Sequence, residues 1–429
     1  MALQKLDWAL SSLMPEITVF NIGLILVALA ALAFVGVYVG LHLLAPKPRP
    51  VLPSEKTYIT TNPDGSVSSP KQLPCWYDRW LAERHLSESN TTKPFQGSDV
   101  PAGFSIPDTG AIEPPEVEVS VVVPAYNEEE RMAPALEEMV EYLDERFGRP
   151  CVADGSGKQE KTISRPSTPH HRLVFKNDAP ERLGGSKVSG YEIIIVNDGS
   201  KDRTVEVALE FSRRKGLHDV LRVVTLEKNR GKGGGVTHGF RHVRGEYIVF
   251  ADADGASRFS DLGKLIEGCE DVVDGSNRGV AIGSRGHLVG SDAVVKRSAI
   301  RNFLMRSFHF ILMILTPPAT SRIRDTQCGF KLFSRASLPH IIPYMHTEGW
   351  IFDIEMLMLA ESAPATPVLS SDGTVIGTSY GIKVAEVPIG WHEVDGSKMS
   401  LVSDSIKMAI GLLVLRLSWM FGVYRRRLT

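Results

Sequence analysis

The sequence predicts an α/β chain: a Rossmann-like, mostly parallel sheet with helices on both faces, preceded by one membrane-spanning helix. Three observations predict this architecture. Apolar runs alternate with helix-like segments, polar turn residues follow three of these runs, and an uncharged apolar stretch lies near the amino terminus. With 429 residues, 43% of them hydrophobic, the chain can build one large α/β domain or two smaller ones. The formal net charge of -2 gives no reason to expect a nucleic-acid partner.

The first element is the apolar stretch at 17–45, which contains no Asp, Glu, Lys or Arg. It exceeds the ~20 residues that a helix needs to cross the hydrocarbon core of a membrane. A cleaved signal peptide is the alternative, because "ALAALA" offers small residues to a peptidase, but the apolar part of a signal peptide runs only ~7–15 residues. We therefore predict an uncleaved transmembrane anchor at 17–45.

The charges that flank the anchor predict its orientation. Lys5, Asp7 and Glu16 precede it, whereas Lys47 and Arg49 follow it. Because cytosolic flanks carry the excess of Lys and Arg, residues 1–16 are predicted to be lumenal and the rest of the chain cytosolic. The four cysteines form no CxxC pair, which suits a reducing compartment.

Residues 46–116 are rich in Pro, Ser and Thr, which predicts a juxtamembrane linker with one short helix at "CWYDRWLAERHL". The folded domain is predicted at 117–400. Its strands are predicted at 117–123, 192–196, 221–226, 246–250 and 279–283, and its helices at 128–147, 203–215, 234–243 and 260–272. Residues 148–190 are polar, glycine-rich and aperiodic, which is typical of a flexible surface insertion.

Polar residues follow three of the predicted strands. In an open parallel sheet the ligand binds beyond the carboxyl ends of the strands, so these residues are expected at one site. They are Pro124, Ala125, Tyr126, Asn127 and Glu128 after the first strand, Asp198, Gly199 and Ser200 after the second, and Asp252, Ala253 and Asp254 after the fourth. Each cluster alone could be an ordinary turn or helix start, but their joint position favours a binding site.

The two carboxylates of "FADADG" indicate a divalent cation. Asp252 and Asp254 lie two residues apart on an extended chain and point the same way, which is unfavourable unless a cation lies between them. Mg²⁺ or Mn²⁺ would also bind the phosphates of a nucleotide, whose base and ribose would contact Asp198 and Glu128. Lys232, in the glycine run of "KNRGKGGGVTHG", is a candidate phosphate contact or else a solvated loop lysine; the run lacks the spacing of a P-loop.

These motifs support a resemblance to a known family. The series "VVVPAYNEE", "IIIVNDGSKDRT", "NRGKGGGVTHG" and "VFADADG" resembles family 2 glycosyltransferases with the GT-A fold. The later stretches "AIGSRG", "RDTQCGFKLF", "EGWIFDIEML" and "VPIGWHEVDGSKMS" resemble dolichyl-phosphate sugar synthases, and with the anchor the chain is most similar to the β-glucosyltransferases among them. The resemblance covers 117 to roughly 400, apart from 148–190.

The resemblance implies transfer of glucose from UDP-glucose to dolichyl phosphate, with inversion, by a single-pass protein of the endoplasmic reticulum membrane. The product, dolichyl β-D-glucosyl phosphate, would serve lipid-linked oligosaccharide assembly and protein N-glycosylation. Asp198 would contact the uracil, Asp254 the metal, and Asp252 the metal, nucleotide or sugar. Two alternatives stay open: a dolichyl-phosphate mannosyltransferase that uses GDP-mannose, and a non-catalytic membrane-tethered scaffold.

The acceptor needs cations more than it needs a base. A phosphate monoester has its second pKa near ~6, so at neutral pH it is already a dianionic nucleophile. Within the family motifs, Arg285, Lys331 and Lys398 are the candidates to bind it, although each could be a surface charge. Asp353 is a third catalytic candidate, which could orient the sugar or acceptor, act as a weak base, or only hold a loop.

The remaining expectations concern the sugar pocket and the membrane. Gln327 and Trp350 are expected to shape the pocket for the sugar. The apolar stretch at 302–319 and the amphipathic carboxyl-terminal helix at 401–429 are expected to lie on the bilayer surface, because their embedded charges and basic or aromatic flanks spoil a clean span. A buried core helix and, at the carboxyl end, a second transmembrane helix are the alternatives.

Overall fold

The computed structural model describes residues 19–91, 112–149, 188–288, 307–308, 310–369, 375–394 and 401–426. Its helices are α1 Val19–Leu44, α2 Trp76–Thr91, α3 Met132–Phe147, α4 Thr204–Lys215, α5 Gly231–Phe240, α6 Leu262–Val272, α7 Pro318–Ser321, α8 Phe352–Glu361 and α9 Leu401–Met420. Its strands are β1 Thr57–Tyr58, β2 Lys71–Gln72, β3 Val117–Ala125, β4 Tyr191–Asn197, β5 Leu221–Thr225, β6 Gly245–Ala251, β7 Val280–Ser284, β8 Phe330–Ser334, β9 Thr366–Leu369, β10 Val375–Ser379 and β11 Val384–Pro388. The chain divides into two compact units, Lys47–Met408 and Met1–Pro46 with Ala409–Thr429.

The larger unit is built on a seven-stranded sheet with the order β11-β7-β8-β6-β3-β4-β5. Strands β6, β3, β4 and β5 pair in parallel, as do β11 and β7. Strand β8 is antiparallel to both of its neighbours, β6 and β7. From β3 the chain adds β4 and β5 on one side and β6 on the other, so the strand order reverses between β3 and β6, where open α/β sheets bind ligands.

Apolar side chains cover both faces of this sheet. On one face, Val121, Ile193 and Val249 belong to a buried cluster that includes residues of α3, α4 and α6. On the other face, the ring centroid of Phe250 lies 6.3 Å from that of Phe240 on α5 and 5.7 Å from that of Phe352 on α8. Adjacent residues of a strand point to opposite faces, so Val249 and Phe250 serve different layers. The predicted α/β fold with helices on both faces is confirmed.

The predicted strands and helices of this unit agree with the observed ones to within a few residues at each end. In the sheet, the sequence analysis missed the antiparallel strand β8. Strand β8 enters between β6 and β7, and its Lys331 pairs with Phe250 in the register. Helix α8 and strand β11 were also not predicted. As a result, the "QCGFK" segment lies directly beside "ADADG".

The segment after α1 differs from the predicted linker. The helix predicted near residue 76 is present as α2, but residues 47–74 also pack against the sheet unit. Ile59 forms two backbone hydrogen bonds of 2.9 Å with Val223 of the edge strand β5. Trp76 is buried, and its Nε1 donates to the carbonyl of Phe240 at 2.7 Å. These long-range bonds order a segment that has no periodicity of its own.

The glycine run lies within the helix rather than before it: the helix predicted at 234–243 begins at Gly231, so the run forms the first turns of α5. Gly231 has φ +79°, and a Cβ there would lie 2.7 Å from the carbonyl oxygen of Glu348. A Cβ on Gly233 would lie 2.5 Å from Cβ of Phe352. Glycine is therefore required for close packing of α5 against residues 348–352, rather than for mobility.

The smaller unit contains α1 and the carboxyl-terminal part of α9. Among the described helices, α1 is the one that is long and apolar enough to cross a membrane, over Gly23–Leu44. The ring of Phe421 contacts that of Phe34 on α1 with centroids 5.3 Å apart, and the Tyr424 hydroxyl donates to the carbonyl of Pro46 at 2.5 Å. The predicted interfacial stretch at 302–319 falls partly outside the described residues; 310–315 are helical and expose Phe310, Met313 and Ile314.

Candidate active site

The loops after β3 and β4 meet at the edge of the sheet where the order of its strands reverses. Ala125, the last residue of β3, pairs with Asn197, the last of β4. The backbone N–H of Asn127 donates to Ser200 Oγ at 2.9 Å, and Asn127 Oδ1 accepts from the backbone N–H of Lys201 at 2.8 Å. The expected juxtaposition of these two polar clusters is therefore present.

Asp198 is buried at this edge. Its Oδ1 accepts a hydrogen bond of 2.6 Å from the backbone N–H of Arg230, at the start of α5. Its carbonyl oxygen accepts from Asn229 Nδ2 at 3.0 Å. Burial raises the pKa of the Asp198 carboxyl to about 6, and the backbone N–H groups of Arg230 and Gly231 only partly offset this effect. The loop before α5 thus holds the carboxylate that was predicted to contact the uracil.

Glu128 has a charged partner that the sequence analysis did not identify. Arg131, three residues later, donates from Nε and Nη2 to its two carboxylate oxygens at 2.9 and 2.8 Å. Arg131 Nη1 also lies 3.9 Å from Asp254 Oδ2. Arg131 therefore links the loop after β3 to the second carboxylate of "DAD". An arginine three residues after a candidate glutamate at a helix start was a signal that could have been used.

Asp252 and Asp254 lie together after β6, as predicted. The contacts of the two carboxylates differ from each other. Asp252 forms an ion pair with Lys232, with Nζ 2.6 Å from Oδ1, and its backbone N–H donates to the carbonyl of Gly329 at 3.1 Å. A Cβ on Gly329 would lie 1.9 Å from Asp252 Oδ2. Asp254 Oδ1 accepts from the backbone N–H of Ala256 at 3.1 Å. The glycine of "QCGFK" thus makes room for the Asp252 carboxylate.

Lys232 lies near several carboxylates. Burial lowers the pKa of its ammonium, but Asp252 and Asp353 outweigh this effect, so the pKa of Lys232 is raised. The group is therefore a cation at every pH near neutrality. Lys232 thus lies beside the first carboxylate of "DAD", and its contact with a bound phosphate stays a prediction.

The position of Lys331 does not agree with the predicted role in binding the acceptor phosphate. Its ammonium is completely buried and donates to the Cys328 carbonyl at 2.6 Å and to Asp353 Oδ1 at 2.5 Å. The cause is strand β8, which places Lys331 inside the sheet, opposite Phe250. Asp353, predicted as a catalytic candidate, is buried with it at the start of α8. Of the three roles considered for Asp353, this ion pair favours the one that holds a loop.

Arg285 lies after β7 at the same edge of the sheet. Its Nε and Nη2 donate to the two carboxylate oxygens of Asp325, both at 2.7 Å, and its guanidinium lies 5.6 Å from the ring centroid of Trp391. The pKa of Arg285 is raised, because Asp325 outweighs the effect of burial. The side chain remains partly exposed, so a further anion can reach it. Lys398, the third acceptor candidate, lies outside the described residues.

The other predicted residues differ in their exposure to solvent. Ala125 and Ala253 are buried, whereas Tyr126 and Trp350 are among the exposed large side chains. Gln327 is half-buried, and its Nε2 lies 3.9 Å from Met408 Sδ. The exposed ring of Tyr126 directly follows β3, and such a ring suits stacking against a base or a sugar.

The carboxylates of "DAD" fit a hard divalent cation in ligand type. Both are partly exposed oxygen donors, and Mg²⁺ is usually bound by one or two carboxylates together with substrate phosphates. Within the described part of the chain, no group of three or more His, Cys, Asp or Glu side chains could hold a metal by itself. A metal held by these two carboxylates would take its remaining ligands from water or phosphate oxygens.

Sequence comparisons agree with the resemblance inferred above. The model of the family described as "Glycosyl transferase family 2" matches residues 177–338. The dolichyl-phosphate beta-glucosyltransferase of Saccharomyces cerevisiae is 40% identical over 318 residues, which cover 72% of this chain and 77% of the yeast protein. The human protein of that name is 35% identical over 312 residues, covering 72% and 78% of the two chains.

Solved structures with a similar chain path include glucosyl-3-phosphoglycerate synthase from Mycobacterium tuberculosis in complex with Mn²⁺, UDP-glucose and phosphoglyceric acid. It is 16% identical, with a TM-score of 0.40, and the alignment covers 70% of this chain and 79% of that one. The identity and coverage of the yeast and human relatives are sufficient to assign the family. The chain belongs to the dolichyl-phosphate β-glucosyltransferase family of family 2 glycosyltransferases.

Proposed function

We propose that this chain transfers the glucosyl group of UDP-glucose to dolichyl phosphate, with inversion at the anomeric carbon, at the cytosolic face of the endoplasmic reticulum membrane. The observation that carries the proposal is the meeting of Asp198, Asp252 and Asp254 at one sheet edge in a chain of this family. The product would be dolichyl β-D-glucosyl phosphate, a glucose donor for lipid-linked oligosaccharide assembly.

The donor lies across the ends of β3, β4 and β6 in this proposal. Asp198 accepts a hydrogen bond from the uracil, while the loops of residues 124–128 and 198–200 surround the nucleoside. Lys232 contacts the diphosphate. The side chains of Trp350 and Gln327 form walls of the pocket for the glucose. Each of these residues belongs to the larger unit, and the hydrogen bonds between Asn127, Ser200 and Lys201 hold the two loops in place before the donor binds.

Asp252 and Asp254 would hold Mg²⁺ or Mn²⁺, which neutralises the charge that develops on the leaving UDP. The ammonium of Lys232, already paired with Asp252, adds a second positive charge at the same place. The chain's own contribution is therefore to orient the donor and to stabilise the leaving diphosphate.

The acceptor requires little help with proton transfer. Its phosphate is a dianion at neutral pH, given a second pKa near ~6, so it attacks without a general base. Arg285 provides a partly exposed guanidinium at the same edge of the sheet for this phosphate, and Lys398 stays a prediction in the same role. The buried ion pair of Lys331 and Asp353 holds β8 and the start of α8 together.

The first test is sugar transfer by the purified full-length protein. UDP-glucose and GDP-mannose are offered separately with dolichyl phosphate and Mg²⁺ or Mn²⁺, and each reaction is repeated with EDTA. Glucolipid from UDP-glucose, lost with EDTA and restored by added metal, is the expected result. Mannolipid from GDP-mannose would contradict the proposed donor, and the absence of product from both would contradict catalysis by this chain alone.

Asp254→Asn gives a sharper test of the metal assignment. Removing one carboxylate from the metal site should abolish turnover, while the midpoint of thermal unfolding stays near that of the wild type, because Asp254 contributes no core packing. Asp271→Asn is the matched control, since Asp271 is an exposed carboxylate of α6. Wild-type rates in Asp254→Asn would rule out Asp254 as a metal ligand.

A further inference from the structure

The chain that follows the membrane helix contacts the loop that holds Asp198. We define the juxtamembrane strap as residues 47–56. The carbonyl oxygen of Arg49 accepts a hydrogen bond of 2.6 Å from Arg230 Nη2, and the Arg49 side chain donates to the carbonyl of Asn229. Arg49 lies five positions after Leu44, the last residue of α1. The strap therefore ties the start of the larger unit to its donor loop.

A second contact of the strap is made through Glu55, which is buried. Its Oε2 lies 3.7 Å from Arg230 Nη1, and its Oε1 accepts from the backbone N–H of Glu227 at 3.2 Å. The backbone carbonyl of the same residue contacts His238 Nε2 on α5 at 2.8 Å. Glu55 thus contacts both the loop before α5 and the helix itself.

Arg230 is the centre of these contacts, with 5% of its side chain exposed. Glu348 Oε1 accepts from its Nε at 2.8 Å and from its Nη2 at 2.5 Å. Because the guanidinium is planar and its donors are fixed in a fork, two carboxylates and one carbonyl determine its orientation. The backbone N–H of this same residue is the group that donates to Asp198.

Glu348 also holds the loop through its backbone. Its carbonyl oxygen accepts from the N–H of Gly234 at 3.1 Å and lies only 2.7 Å from where a Cβ of Gly231 would be. Trp350, an expected wall of the sugar pocket, follows two residues later. A displacement of Arg230 would therefore move the N–H on Asp198 and the segment that carries Trp350 together.

We propose that Arg230 and Glu348 are positioning residues for the donor, and that the juxtamembrane strap, which follows α1 in the sequence, is a part of the donor site. This inference rests on the proposed function, because it takes the nucleotide to lie on Asp198. The contacts of the strap described above go to the donor loop and to α5, so we expect its effect on the binding of the donor.

The test uses steady-state kinetics of the full-length protein in which UDP-glucose and dolichyl phosphate are varied separately. Glu348→Gln keeps the shape of the side chain and removes its charge. It should raise KM for UDP-glucose about tenfold, while kcat and KM for dolichyl phosphate change less than about twofold. Arg230→Lys, which keeps the charge but loses the fork, should give a similar increase, and Arg49→Ala a smaller one of about threefold.

Arg214→Ala is the matched control, because Arg214 forms an exposed ion pair with Glu137 on the outer helices. It should leave both KM values unchanged. An unchanged KM for UDP-glucose in both Glu348→Gln and Arg230→Lys would overturn the inference, and so would a loss confined to kcat or to thermal stability, which a merely structural role would produce.

Failure of the proposed function is separable from failure of this inference. If the wild type transfers no glucose, the proposed function falls, and calorimetric titration with UDP still tests the strap: weaker binding of UDP by Glu348→Gln supports it, and equal binding overturns it. If the wild type binds no UDP at all, both fall together.

Discussion

Two lysine–aspartate ion pairs flank the ring of Phe250, and they have opposite relations to solvent. The Lys232 ammonium lies 6.0 Å from the ring centroid and the Lys331 ammonium 5.2 Å. In the first pair, 19% of the Lys232 side chain and 29% of its partner Asp252 are exposed. In the second, Lys331 is 0% exposed and its partner Asp353 4%. The chemistry of the two pairs is the same, and their burial differs.

This difference indicates how each pair serves the site. A partly exposed pair can exchange its partner for a phosphate or a metal, because the ions lose little hydration in doing so. A buried pair has already lost its hydration, and separating it leaves a charge without compensation inside the protein. We infer that Lys232 and Asp252 bind the ligand. The pair of Lys331 and Asp353 instead fixes β8 against α8, beside the first pair.

The largest effect should come from breaking the buried pair. Lys331→Met leaves the Asp353 carboxylate without its cation, and should lower the free energy of unfolding by about 3–5 kcal/mol. Denaturant-induced unfolding of the purified protein measures this loss. Combining Lys331→Met with Asp353→Leu should recover most of it, because two apolar side chains replace the pair. Lys232→Met changes the partly exposed pair. If it destabilises the protein as much as Lys331→Met, the inference that only the buried pair stabilises the fold is wrong.

The exposed pair should show its effect in catalysis instead. Lys232→Met removes a cation beside the diphosphate, and should lower kcat/KM for UDP-glucose about a hundredfold, or about 2.7 kcal/mol in the transition state. Its free energy of unfolding should fall by less than that of Lys331→Met, because water can still reach the partly exposed Asp252 after the lysine is removed. Kinetics and unfolding of the same preparation check both expectations. A stable variant with wild-type kinetics would show that the lysine is only a surface charge.

Asp198 extends the comparison to a buried carboxylate that is held by backbone N–H groups. Its pKa of about 6 means that it becomes protonated as the pH falls through that value, so the affinity for UDP-glucose should fall by up to about tenfold between pH 7 and pH 5. UDP-glucose is the right probe, because its diphosphate does not titrate in this range. Calorimetric titration at several pH values measures the effect, and Asp198→Asn should bind weakly and without this pH dependence.

The same pKa has an opposite consequence for stability. Because it is raised above the ordinary value of 3.8, this carboxyl favours the folded state below about pH 4, and the contribution is lost as the pH rises through about 6. At neutral pH, Asp198→Asn should therefore stabilise the fold, by at most about 3 kcal/mol, while it weakens donor binding. A variant that is destabilised at pH 7 would contradict the raised pKa.

How much of this could be predicted from the sequence differs between the two pairs. Asp252 follows a continuous apolar strand, so its position at the strand end and near Asp198 followed from the parallel-sheet pattern alone. Lys331 lies in a short run, "FKLFS", whose pairing partner is far away in the sequence. No local sequence pattern predicts that such a strand inserts antiparallel between β6 and β7. A lysine in such a run is expected to be exposed to solvent, because lysine is rarely buried.

Long-range contacts also explain the error in the juxtamembrane segment. Residues 47–74 have no periodicity, and their order depends on partners such as Val223 and Arg230. A buried glutamate at position 55 could not be recognised without knowing that Arg230 lies opposite it. The family motifs located the donor loop, but they did not indicate which segment covers it.

The smallest effect is expected from the insertion predicted at 148–190, which touches neither ion pair in the part that the structure describes. The N–H of Gly148 donates to the carbonyl of Asp144 on α3, and the N–H of Gly190 donates to the carbonyl of Phe147, both at 3.2 Å. The two ends of the insertion therefore lie close together. Arg149 adds hydrogen bonds to the carbonyls of Lys215 and Gly216.

A deletion should therefore remove 150–187, keep both anchored ends, and join them with a short glycine–serine linker. Glucose transfer and thermal unfolding should both stay within about twofold and a few degrees of the wild type, because closing a short loop between adjacent ends costs little entropy. A second deletion of 148–190 in full removes Arg149 and Gly190 as well, and should be less stable than the first. If the shorter deletion already abolishes transfer, the insertion contributes to the active site. The prediction that it is a surface loop without a part in catalysis would then be wrong.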